Sequence, residues 1–192
     1  YCETIYDSGG DQKDEVAFDV KQDSGITIIV IRGTANAENV QSDIDVRLVT
    51  DDDLGIRLHK GFRDASKSVM SSIDESSLEK TVHVTGHSLG GAIAQIIGMW
   101  LHKRSHNVQV FSYGSPKVSN EIMSSGQPTH WRISNPVDPI PILLPWPYAH
   151  TGLFIDPRDG DWGADNDNGL ISKTDGLDHA IAKYVEKLKA LR

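Results

Sequence analysis

The sequence has little cysteine, no long apolar run and few positive charges, and each shortage excludes a class of protein. The single cysteine, Cys2, excludes an intramolecular disulfide framework and a cysteine-rich zinc site. The longest apolar stretches, such as Ile26 to Ile31, are far too short to span a bilayer. Lysine and arginine total 19 against 27 aspartates and glutamates, which gives a net charge of −8. This acidic balance disfavours nucleic acids and anionic membrane surfaces as partners, because both attract basic proteins.

Length and composition fit a single folded domain. A chain of 192 residues, 38% of them hydrophobic and 24% charged, can bury a large core without the help of disulfides or metals. We therefore expect residues 1–192 to form one domain. Residue 1 is Tyr1 and not methionine, so we also expect that an N-terminal segment has been removed or left out.

The hydrophobic pattern predicts a hairpin followed by alternating strands and helices. The hairpin consists of strands at 16–20 and 26–31 around a turn at 21–25, and residues 51–55 read as a solvated loop. Further strands are predicted at 81–85, 108–113, 131–134 and 153–155, the last at a sheet edge, and helices at 59–74, 89–103, 117–125 and 177–191. Because strands and helices alternate from residue 81 onward, the predicted fold class is α/β with a mostly parallel central sheet and helices on its faces.

Residues 86–90 read GHSLG and match the pattern G-x-S-x-G between an apolar strand and an apolar helix. The chain must leave the strand and enter the helix within a few residues, so glycines fit where side chains would collide and the serine sits at a strained apex. Ser88 is therefore the candidate nucleophile. It lies at a helix N-terminus, where unpaired backbone N–H groups favour negative charge, so the Leu89 N–H is a natural donor to an oxyanion.

A serine nucleophile needs a base, which in folds of this kind follows the serine and an acid in chain order. Five histidines come after Ser88: His102, His106, His130, His150 and His179. The first two lie at or beyond the far end of the nucleophile helix, and His130 enters a strand, so these three are expected to be structural or exposed. His179 is favoured as the base, because it lies near the start of the last helix after a glycine, and His150 stays open as the alternative.

Asp138 is the leading candidate for the acid that orients the histidine. It follows the strand at 131–134, in a loop at a strand's carboxyl end, where the sites of open α/β sheets collect. Asp178 adjoins His179, and neighbouring residues on a helix do not face one another. Asp156 is the fallback.

The second oxyanion donor is expected in the loop that follows the strand at 26–31. Gly33 lets the backbone approach closely, and Thr34 offers both a backbone N–H and a hydroxyl. Thr34 and Leu89 would together stabilise the negative charge of a tetrahedral intermediate.

These motifs resemble the class 3 lipase family, the fungal-type triacylglycerol lipases and the related feruloyl esterases. The resemblance covers about residues 15–185 and is most specific at VTGHSLGGA, residues 84–92. Other matching segments are IVIRGT at 29–34, HKGF at 59–62, YGSPKV at 113–118 with Asn120, the block at 135–145, and LDH at 177–179 with Tyr184. It implies an α/β-hydrolase fold, a triad of Ser88, Asp138 and His179, and oxyanion donors at Thr34 and Leu89.

The resemblance also implies a lid-like segment at about 34–46. The family's lipases usually carry a tryptophan beside the lid asparagine, whereas this chain has Val40 after Asn39. The segment is otherwise polar, as in the feruloyl esterases, and a lid with a thin apolar face gains little from a lipid surface. We therefore expect weak association with a lipid interface at most.

The sequence thus predicts a serine ester hydrolase that cleaves carboxylic esters of lipids through an acyl-enzyme intermediate. The alternatives are a soluble carboxylesterase or feruloyl-type esterase, and a catalytically inactive binding protein on the same fold. No metal or cofactor motif is present in the sequence, so neither is expected, and the acidic loop at 156–167 lacks the spacing of a calcium-binding EF-hand. We expect an ester or lipid substrate, no nucleic acid, and a secreted protein, although a cytoplasmic one fits the sequence as well.

Overall fold

A computed structural model of the protein describes residues 11–13, 16–33, 46–121, 127–158, 160, 162–163 and 179–191. Its strands are β1 (Asp11–Lys13), β2 (Val16–Asp23), β3 (Ile26–Ile31), β4 (Leu48–Asp51), β5 (Ile56–His59), β6 (Thr81–His87), β7 (Asn107–Tyr113), β8 (Thr129–Ile133), β9 (Leu153–Ile155) and β10 (Trp162–Gly163). Its α-helices are α1 (Lys60–Met70), α2 (Leu89–Lys103) and α3 (Ile181–Ala190), and short 3₁₀ turns cover Glu75–Ser77 and Ile140–Ile142.

The described strands form one large sheet and one separate hairpin. The sheet has the order β1-β2-β3-β6-β7-β8-β9-β10, and β4 pairs with β5. Strands β3, β6, β7, β8 and β9 run parallel, while the pairs β1–β2, β2–β3 and β9–β10 are antiparallel. The predicted α/β class with a mostly parallel sheet is therefore confirmed. The parallel strands bring their carboxyl ends to one edge, where residues 88, 114 and 134 directly follow β6, β7 and β8.

Helices cover both faces of the sheet, as the β-branched run in β3 predicts. Ile29 and Ile31 pack into the main core with α1 and α2, whereas Ile28 and Val30 face the opposite side, where they pack with Ile181 of α3. Helix α2 lies very close to β7, since a Cβ on Gly98 would come within 2.3 Å of Val110 Cγ2. None of the helices that the structure describes combines the length and apolar character that crossing a bilayer requires.

Several predicted boundaries were wrong in detail. Strand β2 continues through Asp23, so the turn is the two-residue Ser24-Gly25, with φ of 51° and 78°, the conformation that tight hairpins prefer. Strand β9 is not at the edge, because β10 pairs with it. Residues 117–121 are not helical; Ser119 forms single bridges with both Leu58 and Ala149, so this segment links the small hairpin to the later loop.

Residues 51–55 were predicted to form a solvated loop, and this is confirmed for Asp52, Asp53 and Gly55, which are exposed in the turn that joins β4 to β5. It is wrong for Asp51, the last residue of β4. Asp51 is almost fully buried. Its carboxylate accepts hydrogen bonds from the indole Nε1–H of Trp100, at 3.1 Å, and from the Leu54 N–H, at 3.0 Å. The carboxylate therefore joins the hairpin to α2 instead of facing solvent.

Candidate active site

Ser88 lies at the turn between β6 and α2, as the motif predicts. Its backbone has φ 58° and ψ −129°, a strained conformation for a residue with a side chain. The Ser88 N–H donates to the carbonyl of Tyr113 on the neighbouring strand, at 2.9 Å, and the Ser88 carbonyl accepts from the Gly91 N–H, also at 2.9 Å. The side chain does not cap the helix, so its hydroxyl is not used to stabilise the turn.

Glycines are required on both sides of this turn. A Cβ on Gly86 would lie 2.2 Å from the Gly90 carbonyl oxygen, and one on Gly90 would lie 2.3 Å from the carbonyl oxygen of Ile31, at the end of β3. The start of α2 therefore rests directly on the strand end that precedes the expected oxyanion loop. The described residues end at Gly33, and Thr34 and the lid-like residues 35–45 lie outside them.

Asp138 and His179 form a buried hydrogen-bonded pair. His179 Nδ1 lies 2.8 Å from Asp138 Oδ2. The same oxygen accepts the Tyr184 hydroxyl at 2.6 Å, and the Ile140 N–H donates to Asp138 Oδ1 at 2.9 Å. These contacts fix both carboxylate oxygens in a turn closed by the Asp138 N–H and the Asn135 carbonyl, 2.8 Å apart.

The other ring nitrogen of His179 is Nε2. It is buried and has no hydrogen-bond partner among the described residues. Because Nδ1 binds the carboxylate, the imidazole is oriented by the acid in the manner of a catalytic base. His87, the neighbour of Ser88, brings the two segments together, since its Nε2–H donates to the His179 carbonyl at 2.6 Å. Among the described residues, no hydrogen bond joins the Ser88 hydroxyl to His179 Nε2.

His87 is neutral in this position. Burial, followed by the charge of His179, lowers the pKa of His87 to about 3. Its ring stacks on that of His179 with centroids 4.6 Å apart.

Gly114 lies beneath the pair, in the loop after β7, with φ 53°. A Cβ there would come within 2.5 Å of Asp138 Oδ2, 2.9 Å of the Tyr184 hydroxyl and 3.1 Å of His179 Nδ1. The preceding residue, Tyr113, accepts the Ser88 N–H. One short segment therefore contacts both the serine turn and the Asp–His pair.

The alternative site residues have other partners. His150 Nε2 lies 2.9 Å from the Pro141 carbonyl, and His130 Nε2 lies 2.8 Å from Ser112 Oγ. Asp156 forms an ion pair with Arg158 at 2.7 Å. Asp178 is outside the described residues, as are Asp159, Asp161, Asp165 and Asp167 of the acidic loop.

Three residues beside the Asp138–His179 pair lie in the matching segments of the sequence but had no predicted role: His87, Gly114 and Tyr184. Tyr184 is on α3 and is almost fully buried. A signal was present, because a buried tyrosine hydroxyl nearly always needs a polar partner. The partners are the Asn135 N–H, at 3.1 Å, and the carboxylate of Asp138.

Comparison with known protein families identifies a match to the family model "Lipase (class 3)" over residues 28–148. A secreted mono- and diacylglycerol lipase of Fusarium solani is 33% identical over 138 residues, which cover 65% of this chain and 41% of that protein. A lipase of Rhizomucor miehei is 31% identical over 172 residues, covering 80% of this chain and 46% of that protein. The chain thus spans less than half the length of these relatives.

Solved structures show the same fold. The triacylglyceride lipase of Rhizomucor miehei superposes with a TM-score of 0.72 at 24% identity, covering 93% of this chain and 87% of that chain. A triacylglycerol lipase whose catalytic centre is a serine protease triad superposes with a TM-score of 0.72 at 26% identity, covering 88% of this chain and 77% of that chain. The predicted α/β-hydrolase fold is therefore confirmed. From the family match and this fold, the chain belongs to the class 3 lipase family.

Proposed function

We propose that the protein is a serine hydrolase that cleaves carboxylic esters of acylglycerol lipids, with Ser88 as nucleophile, His179 as base and Asp138 as the orienting acid. The observation that carries the proposal is the buried pair of His179 Nδ1 and Asp138 Oδ2, at 2.8 Å, with His179 Nε2 left without a partner among the described residues. Membership in the class 3 lipase family supports the same assignment.

In this mechanism His179 Nε2 takes the Ser88 hydroxyl proton while the serine oxygen attacks the ester carbonyl. The resulting tetrahedral oxyanion collapses, the C–O bond to the alcohol breaks, and His179 returns its proton to the leaving alcohol. A water molecule then gives a proton to His179 Nε2 while its oxygen attacks the acyl carbonyl, which forms a second tetrahedral oxyanion. This intermediate collapses, the bond between the acyl carbon and the serine oxygen breaks, and His179 returns the proton to that oxygen, so the carboxylic acid is released and Ser88 is restored. Asp138 keeps the imidazole in the tautomer with Nδ1–H and stabilises the imidazolium.

The Leu89 N–H is proposed as one oxyanion donor, because it is the first N–H of α2 and has no intrahelical partner. Thr34 remains the proposed second donor from the sequence. Loss of one such donor typically costs about 10²–10³ in turnover.

The relatives support a proposal for the substrate class. The Fusarium solani protein is a mono- and diacylglycerol lipase, so partial acylglycerols are the proposed substrates, and weak interfacial activation is proposed from the polar lid-like segment at 34–46. A soluble carboxylesterase or feruloyl-type esterase is the second candidate, favoured by the same polar segment. A net charge of −8 supports neutral or zwitterionic surfaces over anionic ones.

The test is hydrolysis and covalent labelling in Ser88→Ala against the wild type. Wild type should hydrolyse short-chain aryl esters and be labelled by an alkyl phosphonate at Ser88, and Ser88→Ala should lose on the order of 10⁶ in turnover. Ser72→Ala, which changes an exposed serine after α1, is the matched control and should keep full activity. Hydrolysis that survives in Ser88→Ala would overturn the assignment.

An ester panel separates the two substrate classes. Acylglycerols with short and long chains, and a feruloyl ester, are assayed below and above the critical micelle concentration. Preference for long-chain acylglycerols supports the lipase, whereas a preference for soluble or feruloyl esters with no rise at the micelle threshold supports the esterase.

The proposal includes secretion and a single domain over residues 1–192. Secretion is supported by the secreted relative from Fusarium solani. Activity in the culture medium of the source organism would support it, and activity confined to washed cells would contradict it.

A further inference from the structure

We propose that His87 is a positioning residue that holds the base His179 against the nucleophile strand. The inference rests on the proposed function, since it concerns how the base of that reaction is kept in place. His87 fills the first variable position of the G-x-S-x-G pattern, directly before Ser88, and is 5% exposed. The His87 ring contacts both the backbone carbonyl and the ring of His179.

The first contact is a hydrogen bond to the main chain of His179. A carbonyl oxygen only accepts, so His87 Nε2 carries the hydrogen in the 2.6 Å contact to the His179 carbonyl. The His179 carbonyl lies just outside helix α3. The hydrogen bonds of the helix begin at Ala180, whose carbonyl accepts from the Lys183 N–H. Helix α3 has no side-chain cap at Ala180. The residue that carries the base is therefore anchored by the strand of the nucleophile.

The second contact is between rings. The imidazoles of His87 and His179 stack with an interplanar angle of 28°. The rings of His87 and Tyr184 form a T-shaped pair with centroids 5.9 Å apart. Tyr184 in turn donates to Asp138. His87 thus contacts the base and the tyrosine that fixes the acid, and so limits the movement of both.

The chemistry requires this neighbour to be uncharged. His179 becomes an imidazolium when it takes the serine proton, and a second imidazolium stacked upon it would raise the energy of that state. A neutral imidazole instead presents an aromatic face, which attracts a cation. The buried position that favours the neutral form of His87 therefore matches its place beside the base.

The experiment separates the two contacts by substitution at position 87. His87→Gln keeps an N–H donor of similar reach and removes the ring, His87→Phe keeps a ring and removes the donor, and His87→Leu removes both. His83→Leu is the matched control, because His83 is on the same face of β6, four residues earlier, where its ring contacts Phe111 instead of the site. Each purified variant is assayed for ester hydrolysis, and its phosphonate labelling rate at Ser88 is measured, well below its thermal transition.

If His87 positions the base, His87→Leu loses about 10²-fold in kcat, the effect of a displacement of about 1 Å at a catalytic group. Its KM changes by less than about twofold, because substrate binding is not affected. His87→Gln and His87→Phe fall between Leu and wild type, the phosphonate labelling rate falls in parallel with kcat, and His83→Leu stays at the wild-type value.

The proposal is overturned if His87→Leu folds and keeps kcat within about threefold of wild type, or if its loss is in KM alone. If His87→Leu does not fold, the Gln and Phe variants decide: wild-type kcat in both overturns the proposal, and a partial loss in either with unchanged KM supports it. A wild-type protein that neither hydrolyses esters nor reacts with the phosphonate overturns the proposed function itself. That outcome is distinct from an active wild type with an active Leu variant.

Discussion

His130 is buried as a neutral imidazole in β8, and the protein should therefore lose stability in mild acid. The side chain is 6% exposed, and its Nε2 is bonded to Ser112 Oγ. Burial lowers its pKa to about 3, and the positive charges of Arg132 on the same strand and His150 in the following loop contribute. In the unfolded chain the pKa of a histidine returns to about 6.5.

The size and direction of the effect follow from the two pKa values. Between pH 6.5 and pH 3 the unfolded chain binds a proton at His130 that the native state does not, so stability is greatest above about pH 6.5 and falls as the pH falls toward 3. The loss from this one residue is about 2 kcal/mol at about pH 5 and about 5 kcal/mol below about pH 3. His87 has a similarly lowered pKa and adds a loss of the same order.

Urea unfolding at about pH 7.5 and about pH 5, for wild type and His130→Gln, measures the contribution. The difference in unfolding free energy between the two pH values should be about 2 kcal/mol smaller in the variant, whatever the substitution costs at neutral pH. Met99→Leu is the control. Met99 and His130 both line a cavity of about 250 Å³. Because Met99 carries no titrating group, the variant should keep the wild-type difference. An unchanged pH dependence in His130→Gln would refute the neutral buried state.

Three further substitutions test the site and the hairpin. Tyr184→Phe removes the hydroxyl that donates to Asp138 at 2.6 Å. Steady-state kinetics should show kcat about tenfold lower with little change in KM. A wild-type kcat would mean that the carboxylate does not need this donor. Gly114→Ala puts a Cβ within 2.5 Å of Asp138 Oδ2 at a residue with positive φ. The rate of ester hydrolysis should fall by about 10²-fold or more. An active, stable variant would contradict the close approach of residue 114 to the Asp138 carboxylate. Asp51→Ala removes the buried acceptor of the Trp100 indole N–H. Urea unfolding should show a free energy of unfolding that is lower by about 1–3 kcal/mol. A change below about 0.5 kcal/mol would mean that the carboxylate is exposed to solvent.

Elements with a clear periodicity were predictable from the sequence. Helix α2 occupies residues 89–103 as predicted, because its apolar residues recur at the helical period and glycines mark its start. Strand β3 was identified by its β-branched run, which is buried on both faces. In both segments the local pattern and the tertiary packing agree, so the prediction needed no information from elsewhere in the chain.

The hairpin formed by β4 and β5 was not predictable in the same way. Asp51 reads as solvated, like the exposed Asp52 and Asp53 beside it, because its partner Trp100 lies 49 residues later in the sequence. Similarly, Ser119 bridges Leu58 and Ala149, and such pairings leave no local periodic signal. Here tertiary contacts override local propensity.

In the candidate site, too, the residues that belong to a local pattern were predictable and the contacts between distant residues were not. Ser88 was predicted from a short motif, and Asp138 and His179 were predicted from chain order and from their places at the carboxyl edge of the sheet. The supporting contacts were not found, because they join residues far apart: His87 to His179 across 92 residues and Tyr184 to Asp138 across 46. Only the folded sheet brings these segments into register.

Strand β7 lies between the strands that carry the proposed nucleophile and acid, yet none of its side chains is part of the proposed triad. In the register of the sheet, Tyr113 of β7 pairs with His87 of β6 and with Ile133 of β8, so the next residue, Gly114, falls between Ser88 and the loop of Asp138. With a side chain at position 114, the carboxylate would have to move away from β7 and His179 would have to follow it. The residue after β7 has no Cβ, so the Asp138–His179 pair can lie close to this strand end, next to the serine turn. The glycines at 86 and 90 allow the tight turn at Ser88, and the glycine at 114 leaves the space that the pair occupies.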